Sequence, residues 1–200
     1  MTSAPPPGHE SDKLARYRSK RDFEATPEPN AEDATPTALP HEPGSGGETL
    51  PRFVVQEHHA TSMHWDLRLE RGGVLISWAV PKGIPTHPQE DHLAVNTEDH
   101  PLSYLDFEGE IPRRQYGAGK MRIWDRGTYA AEKFRADEVI ATFAGSRMRG
   151  RYALFRTRGT SWMIHRIDPP EDPTRSPLPS GLRPMLAVLA DLPEDEASYG

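Results

Sequence analysis

Histidines are concentrated in one stretch of the chain, since six of the nine lie within residues 58–100. Residues 64–71 (HWDLRLER) alternate polar and apolar side chains, as a half-buried β-strand does. On such a strand His64, Asp66 and Arg68 share one face, and the apolar residues point to a core. One face therefore presents an imidazole, a carboxylate and a guanidinium.

A second imidazole precedes this strand. His58 follows Gln56 on the same face of a preceding strand, and a short loop at residues 60–62 would let it fold back beside His64. Two imidazoles and one carboxylate suit a divalent transition metal with positions left open for substrate, and they favour manganese, iron or zinc over calcium. We expect His58, His64 and Asp66 to form a metal site.

Residues 92–100 (HLAVNTEDH) repeat this pattern. A strand here would place His92, Glu98 and His100 on one face, with Leu93 and Val95 on the other. Tyr104 follows in a turn after a proline. If the strands are neighbours, a further imidazole, a phenol and a carboxylate approach the same cleft.

The elements that must position these residues read mainly as strands. We predict strands at residues 52–57, 64–71, 74–80, 93–99, 120–125, 138–143, 151–157 and 161–167, with a hairpin turn at Gly72-Gly73. Roughly eight short strands with glycine turns and little helix indicate a closed or nearly closed β-barrel.

The regions outside the barrel have a different composition. Residues 12–23 predict a short helix, and residues 30–47, low in hydrophobics and rich in proline, glycine and acid, predict a flexible insertion. The fold prediction is mainly β: a single β-barrel domain at 52–168, an N-terminal arm with a short helix at 1–51, and a C-terminal linker or tail at 169–200.

Charge is distributed unevenly along the 200 residues, whose net charge is −6. Residues 113–166 carry 13 basic and four acidic side chains, whereas residues 1–51 carry five and nine. A basic surface inside an acidic protein indicates a polyanionic partner, although a solvated face of mixed charge would explain it equally well.

The composition also excludes several classes of protein. The chain has no cysteine, which excludes disulfide scaffolds and thiol catalysis and is compatible with a reducing cytoplasm. It has no run of 18 apolar residues and no secretory signal at its start, so we expect a cytoplasmic protein without a membrane partner.

Two smaller features remain open from the pattern alone. Residues 115–119 (QYGAG) lack the Lys-Ser/Thr ending of a nucleotide-binding loop and precede a strand, so a glycine turn is the better interpretation. Lys82, just after the apolar strand at 74–80, is either a surface lysine or an anion contact.

Four ordered motifs carry a resemblance to a known family: FVVQEHHATSMHWDLRLE, SWAVPKG, LAVNTEDHPLSYLDFEGEIPRRQYGAG and WDRGTY. They resemble the 3′-phosphoesterase module of bacterial DNA ligase D and its stand-alone relatives. With YRSKRDFEATPEP ahead of them, the similarity covers roughly residues 13–29 and 52–168.

The resemblance implies a manganese-dependent β-barrel enzyme that acts at DNA 3′ ends in double-strand-break repair by end joining, with other divalent transition metals as alternatives. Such enzymes remove a 3′-terminal ribonucleoside and then the remaining 3′-phosphate. Ligase, polymerase and Ku-type proteins are the implied partners.

The resemblance also implies roles for individual residues. The metal ligands would be His58, His64 and Asp66. Catalytic residues would be Arg68, His100, Tyr104, Lys82 and Glu98. The substrate phosphate would contact Arg68, His92, His100, Tyr104 and Gln56, and N-terminal support would come from Arg21, Asp22 and Glu28.

One position departs from the family pattern, because the family usually has an arginine where this chain has His92. A shorter, titrating side chain would bind a dianionic phosphomonoester less firmly. We therefore expect the monoesterase step to be weaker than the diesterase step, and activity on a 3′-phosphate end to rise in His92→Arg.

Residues 182–193 (LRPMLAVLADLP) resemble the opening of an ATP-dependent ligase module, but no Lys-Xaa-Asp-Gly motif follows. We expect no ligase activity in this chain and a disordered tail. Two rival functions remain: a non-haem iron oxygenase using His64, Asp66 and His100, and a non-catalytic DNA-end-binding module with structural histidines.

Overall fold

Nine antiparallel β-strands, one short α-helix and one 3₁₀ helix make up the part of the chain that the structure, a computed structural model, describes: residues 13–30 and 50–169. The helices are α1 (Ala15–Ser19) and the 3₁₀ helix η1 (Leu102–Asp106). The strands are β1 (Arg52–His59), β2 (Met63–Arg71), β3 (Val74–Val80), β4 (Asp91–Asn96), β5 (Gly109–Ile111), β6 (Gly119–Phe134), β7 (Glu138–Gly145), β8 (Arg149–Arg158) and β9 (Ser161–Arg166).

Eight of these strands close into a barrel. They pair in the order β1-β2-β3-β4-β9-β8-β7-β6, and β6 pairs with β1 to complete the ring. β5 is an additional strand outside this ring. It pairs with residues 119–121 of β6, on the edge of β6 that does not pair with β1. The mainly-β barrel predicted from the sequence is therefore confirmed, as is the turn between β2 and β3, where Gly72 and Gly73 both have positive φ.

The strands that carry the candidate site are buried on both faces. Phe53 and Val55 of β1 and Leu67 of β2 pack in the barrel interior. The intervening residues point outwards, where Val54 joins a second apolar cluster with Leu75. This outer cluster also contains Tyr17, Tyr104, Leu105, Phe107, Ile111 and Met121, so the N-terminal arm (residues 13–30), η1 and β5 cover the outer face of β1 to β3.

Three predicted elements differ from the structure. The helix predicted at 12–23 is limited to Ala15–Ser19, and no side chain caps its N-terminus. β6 extends to Phe134 instead of ending near 125, because it pairs with β1 along its first half and β7 along its second. β4 ends at Asn96, three residues before the predicted end.

The predicted insertion at 30–47 and the tail at 169–200 lie almost wholly outside the described residues. No helix within residues 13–30 and 50–169 is long and apolar enough to cross a membrane.

The turn between β7 and β8 depends on one buried carboxylate. Asp125 of β6 accepts hydrogen bonds from the backbone N–H groups of Ser146 (3.0 Å), Arg147 (2.8 Å) and Met148 (2.6 Å). Hydrogen bonds to a charged group contribute more than neutral ones, and their loss leaves buried donors unpaired.

We expect Asp125→Ala to lower the free energy of unfolding by ~2–4 kcal/mol in urea titrations. Asp137→Ala is the matched control, because the Asp137 side chain is exposed. A change in the Asp125 variant no larger than that of the control would contradict this interpretation.

Candidate metal and phosphate site

Cross-strand pairing between β1 and β2 brings the predicted ligands together. His58 lies opposite His64, and Gln56 lies opposite Asp66. Directly paired residues of an antiparallel ladder project from the same face, so all four side chains point to the outer face of the barrel. The fold-back of His58 through the loop at 60–62, predicted from the sequence, is therefore confirmed.

The two imidazoles direct lone pairs towards one point. His58 Nε2 donates to the Gly117 carbonyl at 2.9 Å, and His64 Nδ1 donates to the Ser62 carbonyl at 3.0 Å. A carbonyl oxygen only accepts, so these nitrogens carry the protons of the neutral rings. The other two nitrogens, His58 Nδ1 and His64 Nε2, face each other at 3.1 Å. Two lone pairs at this distance repel unless a proton or a cation lies beside them.

Asp66 completes a set of three donors that fits a divalent cation. Its Oδ2 is 3.6 Å from His58 Nδ1, and its Oδ1 is 3.7 Å from His64 Nε2. Among the described residues these three are the group of histidines and acids whose donor atoms all lie within 4.8 Å of one another. Each imidazole donates its remaining N–H to a backbone carbonyl, as metal-binding histidines do.

The Asp66 carboxylate is held in its charged form. Burial alone would raise its pKa, but the charge of the adjacent Arg68 guanidinium is the largest opposing effect, and the net result is a pKa below its ordinary value. The carboxylate is therefore available as a ligand at neutral pH.

Arg68 is the buried cation beside this group, and four contacts fix its guanidinium. Nε donates to Gln56 Oε1 at 2.7 Å, Nη1 to Ser77 Oγ at 3.0 Å, and Nη2 to Asp66 Oδ2 at 3.1 Å. Its central carbon lies 4.6 Å from the centre of the Tyr104 ring. A guanidinium fixed in this way is preorganised to donate hydrogen bonds to the oxygens of a phosphate.

His100 is held neutral between two guanidinium groups. Its Nδ1 lies 2.8 Å from the Glu98 carbonyl and 3.0 Å from Arg68 Nη1, and its Nε2 lies 3.4 Å from Arg21 Nη2. Burial, together with the charges of Arg68 and Arg21, moves the His100 pKa well below its ordinary value. The free protein therefore presents a neutral imidazole at this position.

The N-terminal arm supplies a second ion-pair group. Arg21 bridges two buried carboxylates, with Nε at 2.8 Å from Glu28 and Nη1 at 3.1 Å from Glu98. Glu28 also accepts from the Tyr104 hydroxyl at 2.7 Å, and Lys20 Nζ lies 2.9 Å from Glu98. These contacts fix the arm across the outer face of β1 to β3.

The candidate metal ligands and the ion pairs of the N-terminal arm line one cavity of about 290 Å³. The predicted residues in its lining are Arg21, Glu28, His58, His64, Asp66, Arg68, Glu98, His100 and Tyr104. Lys20, Arg21 and Arg68 balance the charges of Glu28, Asp66 and Glu98. Because His100 is neutral, the charged side chains of the site sum to about zero. A divalent cation would make this cavity positive and attractive to a phosphate dianion.

Ten predicted residues thus lie in or directly against the cavity, Gln56 through its bond to Arg68. Three do not, namely Asp22, Lys82 and His92. Asp22 is exposed and accepts from the backbone of Glu24 at 3.2 Å, and Lys82 is exposed on the turn after β3.

The prediction that His92 shares a face with Glu98 and His100 is wrong. β4 ends at Asn96, so the alternation does not continue to residues 98 and 100. His92 lies opposite Ile164, a residue of the barrel interior, and its Nδ1 is 2.7 Å from the Gly83 carbonyl. The imidazole therefore projects to the side of the sheet away from the cavity.

Sequence reasoning missed three contributors. Lys20 contacts Glu98, Ser77 accepts from Arg68, and the Gly117 carbonyl orients His58. The one available signal was Ser77, a polar residue within the apolar run of β3. Gly117 contributes through its backbone carbonyl, so its residue type gives no indication of this role.

The non-haem iron alternative, as formulated from the sequence, required His100 as a ligand beside His64 and Asp66. In the structure, both ring nitrogens of His100 are occupied by the Glu98 carbonyl and the arginines. His58 takes the third position of the ligand group instead.

We expect the His100 imidazole of the metal-free protein to remain neutral at pH 6, because burial and two nearby guanidinium groups oppose its protonation. Ring-nitrogen chemical shifts from NMR would report the protonation state directly. Imidazolium shifts at pH 6 would contradict the burial and charge argument. The stabilisation by the neutral ring is complete above the unfolded pKa of about 6.5 and decreases as the pH falls below it.

Comparison with known proteins identifies the family of this chain. Residues 56–156 match the sequence model of the DNA Ligase D 3′-phosphoesterase domain. The chain is 51% identical over 182 residues to the multifunctional non-homologous end joining protein LigD of Mycobacterium bovis, which covers 89% of the chain and 22% of that protein. It is 43% identical over 152 residues to the LigD protein of Pseudomonas aeruginosa, covering 74% of the chain and 17% of that protein.

The chain spans about a fifth of the length of the curated relatives it matches. The matched residues include His58, His64 and Asp66, the three candidate metal ligands. This chain belongs to the DNA ligase D 3′-phosphoesterase family.

Proposed function

We propose that this chain is a manganese-dependent phosphoesterase that heals DNA 3′ ends in non-homologous end joining. It would remove a 3′-terminal ribonucleoside to leave a 3′-phosphate, and then remove the phosphate to leave a hydroxyl. The observation that carries the proposal is the convergence of His58, His64 and Asp66 beside the buried Arg68. The names of the relatives, which refer to end joining, support the biological setting.

His58 Nδ1, His64 Nε2 and an Asp66 carboxylate oxygen would hold the manganese ion. A bound divalent cation supplies Lewis-acid stabilisation of phosphoryl oxygens and lowers the pKa of a water molecule. Other divalent transition metals suit the same donor atoms, so the choice of manganese rests on the family resemblance.

Arg68 would bind the oxygens of the scissile phosphate. Its guanidinium is fixed by Gln56, Ser77 and Asp66 before substrate arrives, so little reorganisation is needed as negative charge develops. Gln56 is itself fixed, because its Nε2 donates to the carbonyls of Tyr104 (3.1 Å) and Phe107 (2.8 Å).

His100 and Tyr104 would act as hydrogen-bonding groups around the phosphate. A phosphate dianion beside His100 offsets the charges of Arg68 and Arg21, so its arrival favours protonation of the imidazole. A protonated ring can donate to a phosphate oxygen or to the leaving oxygen. Burial raises the pKa of Tyr104 well above its ordinary value, so its phenol stays a donor at neutral pH.

The partner of this site would be a DNA 3′ end. Residues 113–166 carry 13 basic and four acidic side chains, which suits contact with a phosphate backbone. Ligase, polymerase and Ku-type proteins of end joining are the protein partners that the family implies, and the cytoplasm is the expected location.

The direct assay uses a primer–template with a single 3′-terminal ribonucleotide, incubated with and without manganese. We expect manganese-dependent release of the ribonucleoside, followed by conversion of the 3′-phosphate end to a 3′-hydroxyl end, with product ends identified by mass spectrometry. DNA binding without release in any divalent metal would favour the end-binding alternative.

Removal of one ligand tests the metal group. We expect His64→Ala to lower ribonucleoside release by more than about 100-fold. Mutating a residue that only hydrogen-bonds to a metal ligand already lowers metal affinity or activity by about 10–100-fold, and His64 would be a ligand itself. The matched control is His87→Ala, since His87 is exposed and does not line the cavity. Circular dichroism would verify folding, and unchanged activity in the His64 variant would refute the assignment.

A further inference from the structure

The loop that joins β5 to β6, residues 112–118, is structured and strained. Two consecutive turns shape it, with Gln115 N–H donating to the Pro112 carbonyl and Ala118 N–H to the Gln115 carbonyl, both at 3.1 Å. Arg114 has a φ of +80°, which is unfavourable for a residue with a side chain. Strained backbone of this kind is concentrated at ligand-binding and catalytic loops.

This loop also contacts His58, one of the three candidate metal ligands. The Gly117 carbonyl accepts from His58 Nε2 and so orients the ring that points towards His64. Gly119, where β6 begins, approaches the backbone of β1 so closely that a Cβ at this position would overlap the His59 carbonyl oxygen. The close approach fixes the position of the loop relative to His58.

Tyr116 extends from this loop to the rim of the cavity. It lines the cavity and is 46% exposed, whereas Tyr104, the other tyrosine that lines it, is 1% exposed. Lys20 Nζ lies 2.9 Å from its hydroxyl and 4.4 Å from the ring centre, and Arg21 lies 5.3 Å from the ring centre. The arm thus holds the ring in place while nearly half of the residue faces solvent.

The leaving nucleoside of the proposed substrate carries a planar base, which is joined to the scissile phosphate through the ribose. In the proposed function that phosphate would bind beside Arg68 and His58, in the cavity that Tyr116 also lines, and Tyr116 is one residue from the carbonyl that holds His58. Bases upstream of the scissile bond are stacked within the primer–template duplex. The terminal base is the easiest to unstack, because it has a neighbour on one side only.

We propose that Tyr116 is the platform on which the base of the leaving 3′-terminal ribonucleoside stacks. This inference rests on the proposed function and adds a subsite for the leaving group. An aromatic face accepts every base, so the subsite would position the leaving nucleoside without selecting its sequence.

The test compares two primer–templates that differ only in the leaving group: a 3′-terminal ribonucleoside, and the same ribose without its base. We expect the KM of the wild-type protein to be lower for the base-bearing substrate by about tenfold. Tyr116→Ala should abolish this preference, and Tyr116→Phe, which keeps the ring, should retain it. Phe155→Ala is the matched control, because Phe155 is 39% exposed on β8, away from the cavity.

Three results would overturn the proposal. An equal loss on both substrates in Tyr116→Ala, with weaker manganese binding, would show that the residue acts through Gly117 and His58. A Phe variant that behaves like the Ala variant would assign the role to the hydroxyl and Lys20. A preference that survives in Tyr116→Ala would place the base elsewhere.

A binding measurement separates this inference from the proposed function. A 3′-terminal 2-aminopurine ribonucleoside, bound in EDTA so that no turnover occurs, should lose fluorescence on stacking with wild-type and Tyr116→Phe protein but not with Tyr116→Ala. Quenching without any manganese-dependent cleavage would retain the subsite and reject the proposed function. Cleavage without quenching would retain the proposed function and reject the subsite.

Discussion

The pairing of His58 with His64 across the β1–β2 hairpin is the constraint on which the site depends. It brings two imidazole nitrogens to 3.1 Å, and each ring already uses its proton on a backbone carbonyl. The facing nitrogens therefore carry lone pairs, and their repulsion beside the Asp66 carboxylate would be relieved by a proton or a metal cation. The rest of the outer face, from the Arg68 contacts to the N-terminal arm, is arranged around this point.

Charge balance explains how so many ionisable groups are tolerated under the arm. Each buried carboxylate of the site has a cationic partner: Asp66 pairs with Arg68, and Glu28 and Glu98 share Arg21. Burying an unpaired charge is costly, so these pairs keep the apo site stable while leaving it close to neutral. The same balance makes the site responsive, because one added cation or one phosphate changes its net charge substantially.

The sequence predicted the fold class and most of the site because these depend on local patterns. Period-two alternation identified β2 and β3, and the spacing of His58 and His64 around a short loop was enough to predict their meeting. His92 shows where such reasoning fails. The alternating pattern predicts that the strand continues through residues 97–100. In the structure the chain has left the strand there, and His100 makes only an isolated bridge to Leu75. A strand end is set by its partner strands, which a single sequence does not reveal.

Other parts of the site depend on contacts between distant segments. Lys20 meets Glu98 and Tyr116 only because the arm folds over the barrel, and Gly117 contributes a backbone carbonyl. The family resemblance supplied Arg21 and Glu28 but also Asp22, whose side chain is exposed and accepts from the backbone of Glu24. Likewise, the loop at 112–118 reads as a plain glycine turn until its contact with His58 is seen.

The most direct test of the account is a crystal structure of the protein soaked with manganese, with the ion located by its anomalous scattering. The account predicts one strong peak at coordination distance from His58 Nδ1, His64 Nε2 and an Asp66 oxygen, with both rings still bonded to the carbonyls of Gly117 and Ser62. A peak at another set of residues, or imidazoles that turn away from each other, would contradict it.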